Sequence, residues 1–463
     1  MSAIKELFGG NFRQLGMVLV LVLEILLFQI LTGGTVLSGQ NLQNVIMGNA
    51  YVLILAMGMV LVIIAGHIDL SVGSVAAVVG VVLAKLTSAD YGLGLPWYVG
   101  LLVAILMGVV IGAWHGFWVA FWGVPAFVVT LAGMMIFRGM DQALTSTSVA
   151  VPKEVKVLGA GYMDWLPNIT IGNWVINTET MILAVLVALA MVFMRIRNRA
   201  RLTKAGVEPS PVWIFIVQIV FICVVVLLLG WFFATGRPGT SFPIVGIVVI
   251  ILFLIYNFIA RNTPLGRGVY AVGGNRTAAA LTGISVKKIN FFVMFNSSLL
   301  AAVAAVVFVG RSGFSTFQDG NLWELDAIAS VFIGGASVWG GIGTLGGTMV
   351  GALVMAFLNN GLQLLGMGAD WTQMIKGLVL LLAVGFDVLS KMQGRPSIIG
   401  TFMNARKRNQ ELAAGELPEV DAKEASAPTA DAVLADVTAS EASAAADGVL
   451  SNDPPEQIAR TDI

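Results

Sequence analysis

The chain has 463 residues, of which 57% are apolar and 11% charged, and its 26 basic and 26 acidic residues cancel. Soluble domains carry about 25% charged residues, so this is the composition of an integral membrane protein, not of a soluble enzyme or a basic nucleic-acid binder. One cysteine, Cys223, and two histidines, His67 and His115, exclude a disulfide framework, a thiolate cluster and a histidine-rich metal site.

Apolar runs, measured against about 20 residues per crossing, predict an all-α polytopic membrane protein of about 10–12 transmembrane helices, some broken or re-entrant. The runs are Leu15–Leu37, Asn44–Gly66, Leu70–Leu86, Trp97–Trp118, Ala126–Leu144 and Met181–Met194. Then follow Val212–Ala234, Phe242–Ile259, Ile289–Val309, Ile328–Gly340, Gly343–Leu365 and Met374–Leu389. The sixth and tenth are short, and each is a candidate half-helix. Residues 1–14 precede the membrane domain, 15–391, and a tail, 392–463, follows it. The first run exceeds a signal-peptide core and no small-residue cleavage site follows, so no cleavable leader is expected.

In the first run, Glu24 has no local partner of opposite charge. A lone carboxylate there packs against a neighbouring helix more often than it relays protons. Between the second and third runs lies a polar, glycine-broken passage, Gly66–Ser74, with His67, Asp69, Ser71 and Ser74 at membrane depth. Irregular backbone there must be buried by protein or line a wet cavity. Asp69 or Ser71 caps the following helix, lines a pathway, or does both. Gly108, Gly112 and Gly116 recur at four-residue spacing, as do Gly347 and Gly351, which lets helices approach closely in lipid. Arg138 and Asp141, three apart, share a helix face and neutralise each other.

Basic residues crowd three places: Arg195 to Lys204, Arg261 to Lys288, and Lys391 to Arg408. Counting crossings puts all three on one face with Lys5 and Arg13, and the positive-inside rule makes that face, and both termini, cytoplasmic. Lys153 and Lys156, in the long opposite loop Ser146–Thr180, are exceptions. The basic loop 261–290 is too long for a plain connector, and its Ala-rich stretch Arg276–Leu281, stopped at Gly283, reads as a short helix outside the membrane. Gly334–Gly347 is a second glycine-rich interruption, and one interruption in each half of the chain points to a path at a repeat interface. From Glu411 onward, 12 acidic and 2 basic residues with almost no aromatics describe a disordered acidic tail. No G-x-x-x-x-G-K-[ST] occurs, so ATP hydrolysis must come from another polypeptide, and the chain is read as a transporter subunit, not an enzyme.

Three blocks carry a family resemblance. Gly66-His67-Ile68-Asp69-Leu70-Ser71-Val72-Gly73-Ser74 resembles the signature of permease subunits in bacterial monosaccharide ABC importers of the ribose, xylose and multiple-sugar type. Tyr270-Ala271-Val272-Gly273-Gly274-Asn275-Arg276, running on to Gly283-Ile284-Ser285-Val286, is similar to the cytoplasmic loop of that family. Leu325-Asp326-Ala327-Ile328-Ala329 with Ile333-Gly334-Gly335-Ala336-Ser337 and Gly340-Gly341-Ile342-Gly343 is similar to a third block. All three lie in order between Asn41 and Val388.

The resemblance implies a coupling helix that docks on an ATPase subunit, a role carried onto Gly274, Asn275, Ala279, Gly283 and Ile284. It also implies a permease homodimer in the bacterial plasma membrane, two ATPase domains that bind the ATP, an extracytoplasmic sugar-binding protein, and no cofactor in this chain. Residues of the translocation path or gate would be His67, Asp69, Ser71, Asn49, Asp326, Asn359 and Asn360. Asn44, Gln142, Asn296 and Gln363 are further polar residues within spans, and Trp114, Trp118, Trp323, Trp339 and Trp371 supply ring faces or interfacial belts. Asp326 is expected near the outer mouth of a span, as a cap or gate hinge. Two other readings compete: a self-contained proton-coupled sugar transporter, for which charged partners are too scattered, and a branched-chain amino-acid permease, against which the Ile-Asp-Leu-Ser-Val-Gly block argues.

Overall fold

The computed structural model describes residues 12–392, apart from 91, 164, 173, 207–210 and 238–239. The expected tail beyond residue 392 and the start of the N-terminal segment lie outside the described residues. The ordered body is helical, with α1 Phe12–Leu31, α2 Gly39–Ile64, α3 Val72–Thr87, α4 Trp97–Ala120 and α5 Ala126–Leu144. A small layer follows: β1 Val149–Ala150, α6 Lys153–Ala160, and the hairpin β2 Ile169–Ile171 with β3 Trp174–Ile176. Then come α7 Thr178–Lys204, α8 Val212–Ala234, α9 Ile244–Asn262, α10 Pro264–Gly274, α11 Arg276–Leu281 and α12 Val286–Ser312. The chain closes with β4 Phe314–Ser315, which pairs with β1, then α13 Trp323–Ile333, α14 Leu345–Leu364 and α15 Ala369–Met392.

Eight helices among the described residues are long and apolar enough to cross a membrane, and α3 is a shorter apolar helix. Prolines set several starts: Pro96, Pro125, Pro211 and Pro243 stand immediately before α4, α5, α8 and α9, where a fixed φ and a missing N–H cost the helix nothing. Of the two short runs, the tenth, Ile328–Gly340, contributes to a half-helix that lies earlier than expected: α13 is 11 residues, Trp323–Ile333, about 16 Å and half of a bilayer core, and Gly334 ends it before the rest of the run. The sixth does not. It lies inside α7, a helix of 27 residues, because Arg195, Arg197, Arg199 and Arg201 are good helix formers that carry the helix on past the apolar stretch.

Among the eight candidate spans α2 is the most enclosed, followed by α12 and α14. Small residues make the packing close. A Cβ on Gly108 would sit 2.5 Å from Ala302 Cβ, one on Gly112 2.5 Å from Phe295 O and one on Gly116 2.8 Å from Phe291, so the predicted ridge seats α4 on α12. Gly347 and Gly351 likewise press α14 against the backbone of Gly334 and Ser330. Outward faces of α1, α4, α5, α7 and α8 are instead lined by exposed leucines, valines and phenylalanines, as a lipid-facing surface requires.

Helix ends sort into two faces. Gly39, at the start of α2, meets Phe232 and Gly236 at the end of α8, and the Ile244 amide that opens α9 donates to Gly161 O. The opposite face therefore holds the end of α2, the Arg195–Lys204 end of α7, and the whole segment from Arg261 to Lys288. Two of the basic clusters thus share one face, as the sequence requires.

Candidate functional site

Helix α2 ends in a left-handed cap. Gly66 has φ +82, and the amides of Gly66 and His67 donate to Ile63 O and Val62 O; glycine takes this conformation without a Cβ penalty. The chain then runs extended into the interior before α3 begins. Asp69, Ser71 and Ser74 are fully buried. Asp69 Oδ1 accepts from the Ser71 amide at 2.9 Å and from Ser71 Oγ at 2.6 Å, and Ser74 Oγ donates to Ser71 O at 2.9 Å. Ser71 occupies the N-cap position but its hydroxyl is given to Asp69, and it makes no side-chain cap bond to the helix. Asp69 is thus the residue that shapes the helix start.

Around Asp69 lie polar groups the sequence does not connect. Glu324, in the first turn of α13, has Asp69 and Arg138 as electrostatic neighbours, and a Cβ on Gly73 would overlap its Oε2. Asp69 Oδ2, Glu324 Oε2 and His115 Nε2 are buried without a hydrogen-bond partner among the described residues. Arg138 and Asp141 do approach each other, at 3.8 Å. The shorter contact of Arg138 is its donation at 2.7 Å to Asp319 O, so its main task is to hold the loop that leads into α13. Glu24 Oε2 is likewise buried and without a partner.

His67 stands apart from this cluster. Its Nε2 lies 3.1 Å from Asn290 Oδ1 on α12, at the end of the bundle that carries the basic loops. There the three glycine-rich passages converge on one carbonyl. Gly341 N donates to Ile64 O at 2.8 Å; a Cβ on Gly273 would overlap the same oxygen, and one on Gly340 would lie 3.1 Å from it and from Gly66 Cα. Tyr270 Oη donates to Gly343 O at 2.9 Å. Burial pushes the Tyr270 phenol up from its ordinary value, with Arg261 opposing, so the hydroxyl remains a donor. The basic loop, the end of α2 and the loop after α13 are therefore wedged backbone to backbone.

The Arg276–Leu281 helix forms as the sequence predicts, at those residues. Asn275 caps it, accepting from the Ala278 amide at 2.9 Å, and Gly283 follows with φ +84. Ala279 is buried and Ile284 half-buried, while Gly274 has open space where a Cβ would stand. Leu281, which sequence reasoning passed over, is 85% exposed, an apolar side chain with nothing among the described residues to cover it.

The remaining candidates gather at the other end. Asp326, buried on α13, pairs with Lys376 Nζ of α15 at 2.9 Å. Asn359 Nδ2 donates to Asn49 Oδ1 at 3.1 Å, which ties α14 to α2. Asn360 and Asn41 exchange two hydrogen bonds, each Nδ2 donating to the other's Oδ1, 2.8 and 3.0 Å long, a closed pair that leaves little to offer a ligand. Asn296 is not with them: it sits nearer the basic end of α12 and accepts from Tyr256 Oη of α9. Lys376 was legible as one of two charges, with Asp387, inside the last apolar run.

Residues 41–384 match a family model described as "Branched-chain amino acid transport system / permease component". The chain is 35% identical over 390 residues to the xylose transport system permease protein XylH of Escherichia coli K12, covering 84% of this chain and 94% of that one. It is 32% identical over 387 residues to the probable ABC transporter permease protein YphD of the same strain, 84% and 93% of the two chains. It is 32% identical over 348 residues to the ribose import permease protein RbsC, also of that strain, 75% and 85% of the two chains. No solved structure matches.

Proposed function

From the premise that this chain belongs to the permease-component family of branched-chain amino acid transport systems and their sugar-importing relatives, we propose that it is the membrane subunit of an ATP-driven monosaccharide importer. Its substrate is a pentose such as xylose or ribose, or a related hexose. It works as a homodimer in the bacterial plasma membrane, with both termini and the basic loops in the cytoplasm. Two copies of an ATPase subunit bind the ATP, and an extracytoplasmic binding protein delivers the sugar.

The observation that carries this reading is the wedge at Ile64 O. The α10–α11 segment stands at the basic end, presents Leu281 outward, and touches both glycine-broken passages through rigid backbone. A push on α11 by a partner is therefore transmitted to the end of α2 and to the loop behind α13 without first compressing flexible side chains. Alternating access follows: ATP-driven closure of the ATPases displaces the two α11 helices, and the broken segments before α3 and after α13 change the side on which the path is open.

Uptake of labelled pentoses and hexoses, compared between a deletion strain and its parent with and without a protonophore at controlled cellular ATP, tests the reading. A sugar-specific loss that survives the protonophore is expected and names the substrate. A loss confined to energised membranes would assign the chain to proton-coupled transport instead. Docking has its own test. Leu281→Asp puts a charge on the exposed apolar contact and is expected to lower co-purification of the ATPase about tenfold, the equivalent of some 1.4 kcal/mol, with the permease still inserted. Undiminished co-purification would remove α11 from the interface.

A further inference from the structure

We propose that the cleft between α13, α14 and α15 is a binding site for a neutral monosaccharide, entered from the face opposite the basic loops. The assignment rests on the importer reading above and adds to it a place where the sugar is held. The cleft encloses about 330 Å³ and is walled by Asp326, Asn359, Gln363, Thr372, Gln373 and Lys376, over apolar side chains that include Leu325, Met355 and Leu380. That volume is at the small end of ligand pockets, which run from about 300 to 1,000 Å³, and suits one sugar ring.

Its chemistry selects the ligand. Asp326 and Lys376 close on each other at 2.9 Å, so the site offers donors and acceptors with no net charge. A hydroxyl both donates and accepts, and meets a carboxylate, an ammonium or an amide without breaking that pair. An anion must split it and leave Asp326 buried and uncompensated, which is costly, and a zwitterion gains its two contacts only by giving up the closed pair and desolvating both of its own charges. A purely apolar ligand would desolvate the amides and return nothing. Asn359 Oδ1, in the wall, is buried with no donor among the described residues, while Nδ2 of the same amide is spent on Asn49. A ligand hydroxyl is the partner that acceptor lacks.

The backbone at the rim carries a second sign. Leu322, which lines the cleft, has φ +62, and among the described residues no other non-glycine residue has a positive φ. A leucine held there is strained and persists only where surrounding structure imposes it, commonly at ligand sites. Leu322 stands immediately before Trp323, where α13 starts, so its conformation fixes how Asp326 is presented.

The site is testable by protection of a cysteine. In the full-length permease with Cys223→Ser, Thr372→Cys is labelled in spheroplasts by a membrane-impermeant maleimide while xylose, ribose, leucine or gluconate is present at millimolar concentration. Should Thr372→Cys fail to insert, Gln373→Cys replaces it. Expected is a slowing of about threefold by a transported pentose, as occupancy gives at twice its Kd, with no slowing by leucine or gluconate. Adding Asn359→Leu and Gln363→Leu should abolish the protection, read as the ratio of labelling with and without sugar in that same variant. Wild-type cells are assayed for uptake in parallel. If they import a pentose and no sugar protects the cysteine, the site is refuted and the importer reading stands. Protection by leucine would make it a zwitterion site. If no monosaccharide is imported, the importer reading fails and takes the proposal with it.

Discussion

Gly273→Ala is expected to lower sugar transport by at least about tenfold, a loss of some 1.4 kcal/mol or more in the coupled step, while the neighbouring Gly274→Ala transports like the parent. The two glycines are adjacent and of one residue type, so they make a matched pair. A Cβ on Gly273 would overlap Ile64 O and stand 2.7 Å from Gly341 N, whereas one on Gly274 meets nothing within 4 Å. Backbone on both sides of Gly273 cannot swing aside as a side-chain tip can. The methyl must therefore drive α10 away from the end of α2 or break the Gly341 to Ile64 hydrogen bond. Either change separates the segment pushed by the ATPase from the segments that open and close. Reconstituted permease with its ATPase and binding protein gives the readout, as sugar moved per ATP hydrolysed beside the thermal midpoint of the purified complex. Hydrolysis that continues while sugar import falls is the signature of broken coupling. Equal transport by the two variants would show that the wedge transmits nothing.

That wedge also shows where the sequence was legible and where it was not. The helices α5 and α8, the α11 helix and the half-helix α13 follow from local signals: apolar run length, prolines before the start, a glycine after the end. The ridge Gly108, Gly112 and Gly116 was legible as a contact surface because small residues at helical spacing have few other uses, though nothing in the chain said that α12 is the surface they meet. The extent of α7 was misread because arginines end an apolar run without ending a helix. Long-range pairings were beyond reach. Asp326 and Lys376 are 50 residues apart, and Gly273 and Gly341 carry no chemistry that would mark them as neighbours. A backbone carbonyl such as Ile64 O has no sequence signature at all. Resemblance to the sugar permeases marked the passages that matter, and only the packing shows that they meet.

Asp69 separates two meanings of a buried carboxylate, and the paired substitutions to Asn and Ala read them apart. Asp69→Ala removes the acceptor of two hydrogen bonds, to Ser71 N and Ser71 Oγ, at a site with no solvent to replace it. Bonds to a charged group contribute about 1.5–3 kcal/mol each and an unmet buried donor costs about 1–3 kcal/mol. The expected penalty is therefore at least about 2 kcal/mol in the thermal unfolding of the purified permease, with transport lost as α3 detaches from its start. Asp69→Asn keeps the oxygen that accepts. The oxygen it replaces with an amide, Oδ2, has no partner among the described residues to lose, and the change takes a negative charge away from Glu324. Asn is expected to fold as well as the parent and to keep most of its transport, which would make the residue an Asx turn that starts α3 inside the membrane. If Asn folds normally yet transports as poorly as Ala, the charge itself is required. The Asp69, Glu324 and Arg138 group would then carry part of the transport cycle, since a neutral turn of the same shape would already have been supplied.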